Sequence, residues 1–150
     1  MPSHYDGTHE EALALDAFIK LSRSVNAVHG RLLPALQKEF GLTESQFAVL
    51  EALFHLGPLA QGGICRKILR SGSNVTTVVD NLQRDGLVRR ERDENDRRVQ
   101  IVHLTAKGRV RLGEALPIHV DRIVRAMRSL EPEEQRELGR LCKKLGTAAG

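Results

Sequence analysis

Ser73, Asn74, Thr76 and Thr77 are short hydrogen-bonding side chains crowded at the start of one segment, with the cation Arg84 near its end. On a helical wheel Val75, Val78, Val79 and Leu82 face one way, and Ser73, Thr77, Asp80 and Arg84 face the other. Asn74, Thr76 and Asn81 flank the polar face. Side chains of this kind at a helix start can reach base edges in the DNA major groove, and the polar row does not clash with the duplex. An ordinary amphipathic helix with a solvated face has the same pattern, so this segment alone leaves both readings open. Asp80 is the odd member, because phosphate repels a carboxylate. It stands four residues before Arg84 and can pair with it along the helix, or it can accept from a cytosine amine.

A second constellation lies just downstream. Arg84, Arg89, Arg90, Arg92, Arg97 and Arg98 are offset by Asp85, Glu91, Asp93, Glu94 and Asp96, six cations against five carboxylates. Placement therefore matters more than the sum. Asp96 beside Arg97 and Arg98 can orient one guanidinium while the other projects, and a projecting arginine suits a narrow minor groove. The alternative is a solvated, salt-bridged hairpin. Catalytic patterns are missing. The histidines at positions 4, 9, 29, 55, 103 and 119 have no metal-ligand spacing. There is no GxSxG, P-loop or GxGxxG, and nothing isolates a carboxylate pair among the 19 acidic residues. No cofactor, metal or enzymatic activity is expected.

The elements that must carry these residues can be read from spacing. Residues 1–9 are polar. From Glu10 a helix carries Phe18, Leu21, Val25, Val28 and Leu32 as one apolar seam, and Pro34 is expected to kink or restart it. Gly41 ends that piece. Thr43-Glu44-Ser45-Gln46 is a capping box that opens a helix bearing Phe47, Val49, Leu50, Leu53 and Phe54, stopped by Gly57-Pro58. A short helix follows, with Ile64, Cys65, Ile68 and Leu69 inward and weakened at its start by Gly62 and Gly63. Ser71-Gly72-Ser73 reads as a turn and cap. Val75-Thr76-Thr77-Val78-Val79 has strand propensity, yet the helical period and the closing Gly86 favour a helix from Asn74 to Asp85. Leu87–Arg92 and Val99–Leu104 are two strands around the turn 93–96. Thr105 caps a long helix bearing Leu112, Leu116, Val120, Ile123 and Met127, with Pro117 inside it. Glu131-Pro132-Glu133-Glu134 opens a last helix with Leu138, Leu141 and Leu145 on one seam.

This order predicts a mainly α fold with a small β-hairpin (α+β): a winged helix-turn-helix flanked by N- and C-terminal helices. The whole chain, 1–150, is one domain, with flanking helices at 10–40 and 105–146 and a central part at 43–104. The flanking seams can pack within one subunit or across two. A chain of 150 residues needs no disulfide to hold a core. Aromatics are 3% with no Trp, which disfavours base stacking as a binding mode. The net charge of +4 permits nucleic-acid binding without proving it. No apolar run approaches a membrane span, and the first residues lack the pattern of a signal peptide, so a cytoplasmic protein is expected.

Residues 71–108 carry a resemblance. Ser71 through Leu82, Gly86-Leu87-Val88 at the helix exit, Asp96-Arg97-Arg98 in the wing and Leu104-Thr105-Ala106-Lys107-Gly108 at the wing exit look like the multiple-antibiotic-resistance regulator (MarR) family. The opener Leu42-Thr43-Glu44-Ser45-Gln46-Phe47 is similar too. Each piece is weak alone; their order and spacing are specific, and the match runs from about residue 10 onward. The resemblance implies a homodimeric transcriptional regulator whose terminal helices form the dimer interface and whose two winged domains grip a palindromic operator in double-stranded DNA. It implies repression modulated by a small, often phenolic ligand, or in other members by thiol oxidation. The expected DNA contacts are Ser73, Asn74, Thr76, Thr77, Arg84, Arg97 and Arg98, and the expected ligand contacts are His29, Arg31 and His55. The family's peroxide sensors carry a cysteine in the first helix region, whereas segment 10–40 here has none. Cys65 and Cys142 are expected to be buried apolar fillers. A thiol-sensing regulator and a winged-helix module that binds protein instead of DNA remain the alternatives.

Overall fold

The computed structural model describes residues 4–67 and 72–148, without the side chains of Cys65, Lys67 and Ser73. In chain order the elements are α1 (His9–Phe40), α2 (Glu44–Leu56), β1 (Leu59–Ala60), α3 (Gln61–Lys67), α4 (Gly72–Arg84), β2 (Val88–Arg92), β3 (Gln100–Leu104), α5 (Ala106–Met127) and α6 (Pro132–Thr147). Helices dominate and one small antiparallel sheet joins them, so the expected fold class holds. Among the described residues no helix is long and apolar enough to cross a membrane. The expected inward face at Ile68 and Leu69, the turn at Ser71 and the side-chain cap of Ser73 lie outside the described residues.

The chain forms two compact units. A winged unit comprises Leu33–His119, and a terminal unit comprises the residues up to Leu32 and from Val120 onward. In the winged unit the capping box forms as its spacing requires. The Gln46 amide N–H donates to Thr43 Oγ1 at 3.2 Å, and the Thr43 N–H donates to Gln46 Oε1 at 3.0 Å. Phe47, Val49, Leu50 and Leu53 of α2 are buried, as are Ile64 of α3 and Val75, Val79 and Leu82 of α4. Val88, Val102, Leu112 and Ala115 complete this core.

The sheet order is β1-β3-β2. The expected hairpin is β2–β3, in a register that sets Val88 opposite Leu104 and Arg90 opposite Val102. The third strand was not expected. Leu59 and Ala60 pair with Val102 and Ile101, and two residues are too few to show alternation. A second difference concerns Pro34, which neither ends nor restarts its helix. α1 runs unbroken from His9 to Phe40 with Pro34 inside it. Its missing N–H leaves one intrahelical bond unmade, and the buried Leu32 and Leu36 on either side anchor the helix through that position.

Helix α4 and the β2–β3 hairpin are joined at a compact corner. Gly86 has φ +76°, the left-handed conformation that ends α4. Thr105 Oγ1 donates to the Gly86 carbonyl at 2.7 Å and accepts from the Gly108 N–H at 3.0 Å, so one hydroxyl closes α4 and caps α5. Lys107 Nζ donates to the Asp85 carbonyl at 2.8 Å. Gly108 is buried against Leu87; a Cβ there would collide with the Leu87 carbonyl oxygen. The Leu104–Gly108 motif is thus explained by the corner it builds.

Candidate nucleic-acid interface

α4 presents Asn74, Thr76, Thr77 and Arg84 as exposed residues, opposite buried Val75, Val79 and Leu82. The backbone of Ser73 belongs to α4, while its side chain lies outside the described residues. Among the described residues, Asn74, Thr76, Thr77 and Arg84 thus stand on the polar side that spacing suggested.

Asp80 has a different partner from the one expected. Arg84 Nε points to Asp85, 3.5 Å away, and the Asp80 carboxylate is held by Arg90 Nη2 from strand β2. A rigid strand residue offers a fixed guanidinium, whereas Arg84 at the end of α4 turns toward its chain neighbour. Arg90 is the hub of a wider network. Its Nε donates to Gln83 Oε1 at 2.7 Å and its Nη1 to Gln61 Oε1 at 3.4 Å. Gln61 Nε2 in turn donates to Thr76 Oγ1 at 3.3 Å. The Arg90 side chain is 20% exposed and that of Asp80 54%. α3, α4 and β2 are tied together directly behind the exposed face. Gln61 and Gln83 were not singled out from sequence, and Arg90 stood there only as one of six hairpin-region cations; its place on the core-facing side of β2 appears once the strands are paired.

At the wing tip Asp96 grips Arg98. Its Oδ1 accepts from Arg98 Nε at 3.1 Å and from the Arg98 backbone N–H at 3.1 Å, and its Oδ2 accepts from Nη2 at 3.2 Å. These bonds hold the Asp96 carboxyl below the ordinary aspartate range. Arg97 is exposed and makes no hydrogen bond or ion pair among the described residues. One guanidinium is oriented and its neighbour projects, as the Asp-Arg-Arg order suggested. On the outer face of the hairpin Glu91 Oε2 is shared by Arg89 Nη1 at 3.0 Å and His103 Nε2 at 3.1 Å.

The residues expected to bind a ligand are divided between the units. His29 and Arg31 line a cleft of about 470 Å³ in the terminal unit, with Val25, Val28, Met127, Leu130 and Leu138 as apolar walls. His55 belongs to the winged unit, on α2, 3.9 Å from Glu51 and edge-on to the Phe54 ring. Cys142 lines the cleft and is exposed, which corrects the expectation of a buried filler. Its neighbours on the α6 seam are exposed too, so among the described residues nothing covers that face. The side chain of Cys65 lies outside the described residues.

A family model described as the MarR family matches residues 42–99. The HTH-type transcriptional regulator YkoM of Bacillus subtilis is 44% identical over 109 residues, 73% of this chain and 71% of that protein. The HTH-type transcriptional regulator MhqR of the same organism is 35% identical over 138 residues, 91% of this chain and 93% of that protein. Sco3205, a MarR family transcriptional regulator from Streptomyces coelicolor solved in complex with DNA, matches with a TM-score of 0.82 at 26% identity, covering 94% of this chain and 92% of that one.

Proposed function

The chain belongs to the MarR family of DNA-binding transcriptional regulators, and on that premise we propose that it is a homodimeric repressor. It grips a palindromic operator and releases it when a small, phenol-like ligand binds. The observation that carries this reading is the exposed polar row of α4, backed by Arg90 and set beside an arginine-tipped wing. Asn74, Thr76, Thr77 and Ser73 read base edges in the major groove, Arg84 contacts the backbone, and Arg97 and Arg98 approach the adjacent minor groove. Sco3205 bound to DNA supports the same use of the fold. An operator that overlaps a promoter excludes polymerase when occupied, which is how binding would repress.

The ligand reading rests on the terminal cleft. Its volume lies in the range of small-molecule sites, its walls are mainly apolar, and His29 and Arg31 supply the few polar groups such sites use. An arginine beside an imidazole suits a phenolate or carboxylate oxygen. The ligand acts by favouring one separation of the two recognition helices, since half-sites about 34–36 Å apart tolerate little mismatch. Because Cys142 is exposed in the same cleft, a thiol-sensing regulator is the second reading.

Genomic footprinting with the purified protein tests both. The expected result is a protected palindrome that phenols clear and peroxide leaves occupied. If peroxide clears it in the wild type but not in a Cys65→Ser, Cys142→Ser variant, the thiol reading replaces the ligand one. Thr77→Ala and Asn74→Ala should each relax base preference by about 1–3 kcal/mol per contact, measured on operator variants. Unchanged preference in both would move base readout off α4.

A further inference from the structure

A guanidinium only donates hydrogen bonds, so the groups around Arg90 have no choice of role. Its Nη2 donates to Asp80 Oδ1, and its Nη1 donates to Gln61 Oε1, 3.4 Å away. With its oxygen turned to Arg90, the Gln61 amide points its NH2 group the other way, and Nε2 donates to Thr76 Oγ1 at 3.3 Å. One lone pair of the Thr76 oxygen is thereby taken from inside the fold. The hydroxyl hydrogen has no acceptor among the described residues, so an outside acceptor is what satisfies it. Asp80 has the opposite need. Its Oδ2 makes no hydrogen bond among the described residues, and an ionised carboxylate only accepts. Both residues are exposed, and they stand four apart on α4, one turn from each other on one side of the helix.

We infer that Arg90 sets the hydrogen-bond polarity of two base-reading positions, a donor at Thr76 and an acceptor at Asp80, and that Asp80 is a specificity-determining residue for DNA. The edge that suits Thr76 carries an acceptor, guanine O6 or N7 or thymine O4. The edge that suits Asp80 is the N4 amine of cytosine. Adenine also presents an amine in the major groove, but its N7 acceptor lies beside that amine and repels a carboxylate. Side chains one helical turn apart are separated by about 5–6 Å, and base pairs stack about 3.4 Å apart. The two positions therefore fall on base pairs that are adjacent or next but one. The inference rests on the DNA-binding reading and extends it to a residue, Asp80, outside the contacts proposed there.

The test selects binders for the full chain from a pool of DNA duplexes with a randomised central stretch. Affinities are then measured for the selected duplex and each of its single-base-pair substitutions. The wild type should require a cytosine whose replacement by thymine, a carbonyl in place of the amine, costs about tenfold. In Asp80→Asn, whose amide can turn either group outward, the cytosine–thymine ratio at that position should fall within about twofold, with other preferences kept. Gln61→Glu is the sharper variant. Its carboxylate still accepts from Arg90 but takes the Thr76 hydroxyl hydrogen instead of giving one, which leaves only lone pairs facing outward. Preference beside the retained cytosine should then move from guanine or thymine to a base bearing an amine. A merely supporting network would lower affinity equally on every sequence. Parallel losses at all positions in both variants overturn the inference, and so do preferences unchanged from the wild type. A wild type that enriches no duplex fails one step earlier, and the DNA-binding reading falls with it.

Discussion

The Asp80 carboxylate would repel the phosphates of a bound duplex were the Arg90 guanidinium not against it. Arg90 also fixes Gln83 and, through Gln61, the hydroxyl of Thr76, so the face proposed to read bases is held in one orientation by the fold itself. Preorganised contacts lose less entropy on binding. Arg90→Met is therefore expected to cost about 1–3 kcal/mol of stability, as removal of a charged hydrogen-bonding partner does. It should also narrow the ratio of operator to random-DNA affinity. A double-mutant cycle with Asp80→Asn should show coupling of about 0.5–3 kcal/mol, and strict additivity would dismiss the pair. Asp96 offers a second measurement at this scale. Its carboxyl is lowered from the ordinary 3.8 by the side-chain and backbone bonds from Arg98. A depressed value stabilises the folded wing fully above the ordinary value, and that contribution is lost as the pH falls through the lowered one. Carbon-detected NMR titration should find the Asp96 midpoint below 3.8, returning toward it in Arg98→Gln. An unchanged midpoint in that variant would mean that Arg98 is not its cause.

Among the elements, the corner where α4, β2, β3 and α5 meet carries the most structural consequence. Thr105 serves two helices with one hydroxyl, Lys107 closes the Asp85 carbonyl, and Gly108 lets α5 lie on the backbone of Leu87. A methyl on Gly108 would collide with a carbonyl oxygen and with Leu104 Cδ1, 2.8 Å away. Backbone on one side and the partly buried Leu104 side chain on the other give little room to relax. Gly108→Ala should destabilise the winged unit by about 1–3 kcal/mol, read by urea unfolding. Gly113→Ala on the same helix, where a Cβ meets nothing within 4 Å, should be neutral or mildly stabilising. Equal effects of the two would separate the Gly108 motif from packing.

For the whole molecule the decisive feature is apolar surface left exposed among the described residues. Phe18 and Val25 on α1 are exposed, and so are Leu138, Leu141 and Leu145 on α6, with Phe18 at 65% and Leu145 at 64%. Seams of this length mark an interaction surface, and a second copy is the occupant proposed above. Burying each such side chain contributes about 1.5–3 kcal/mol. Sedimentation at micromolar concentration should give two chains for the wild type and one for Leu141→Glu, Leu145→Glu. That variant should also lose tight palindrome binding, because each half-site is then bound alone. A wild-type monomer that still binds a palindrome tightly would sink the dimer.

Local order made much of this protein legible in its sequence. Apolar residues recurring at helical spacing, the Thr43 capping box, the Gly86 stop and the charged turn between two short strands are patterns within a few residues of one another. From them the winged helix-turn-helix and the polar row of α4 can be read without coordinates. Tertiary structure decided the rest. β1 is a strand only because β3 lies beside it, and α1 runs on through Pro34 without restarting. Asp80 takes Arg90 over Arg84 because the paired β-strands bring a fixed guanidinium to it across ten positions. Cys142 stands exposed in a cleft built from both ends of the chain. Each of these depends on which distant segments come into contact. The physical reason is that closing a long loop is driven by the sum of core burial, which no local pattern of residue types records.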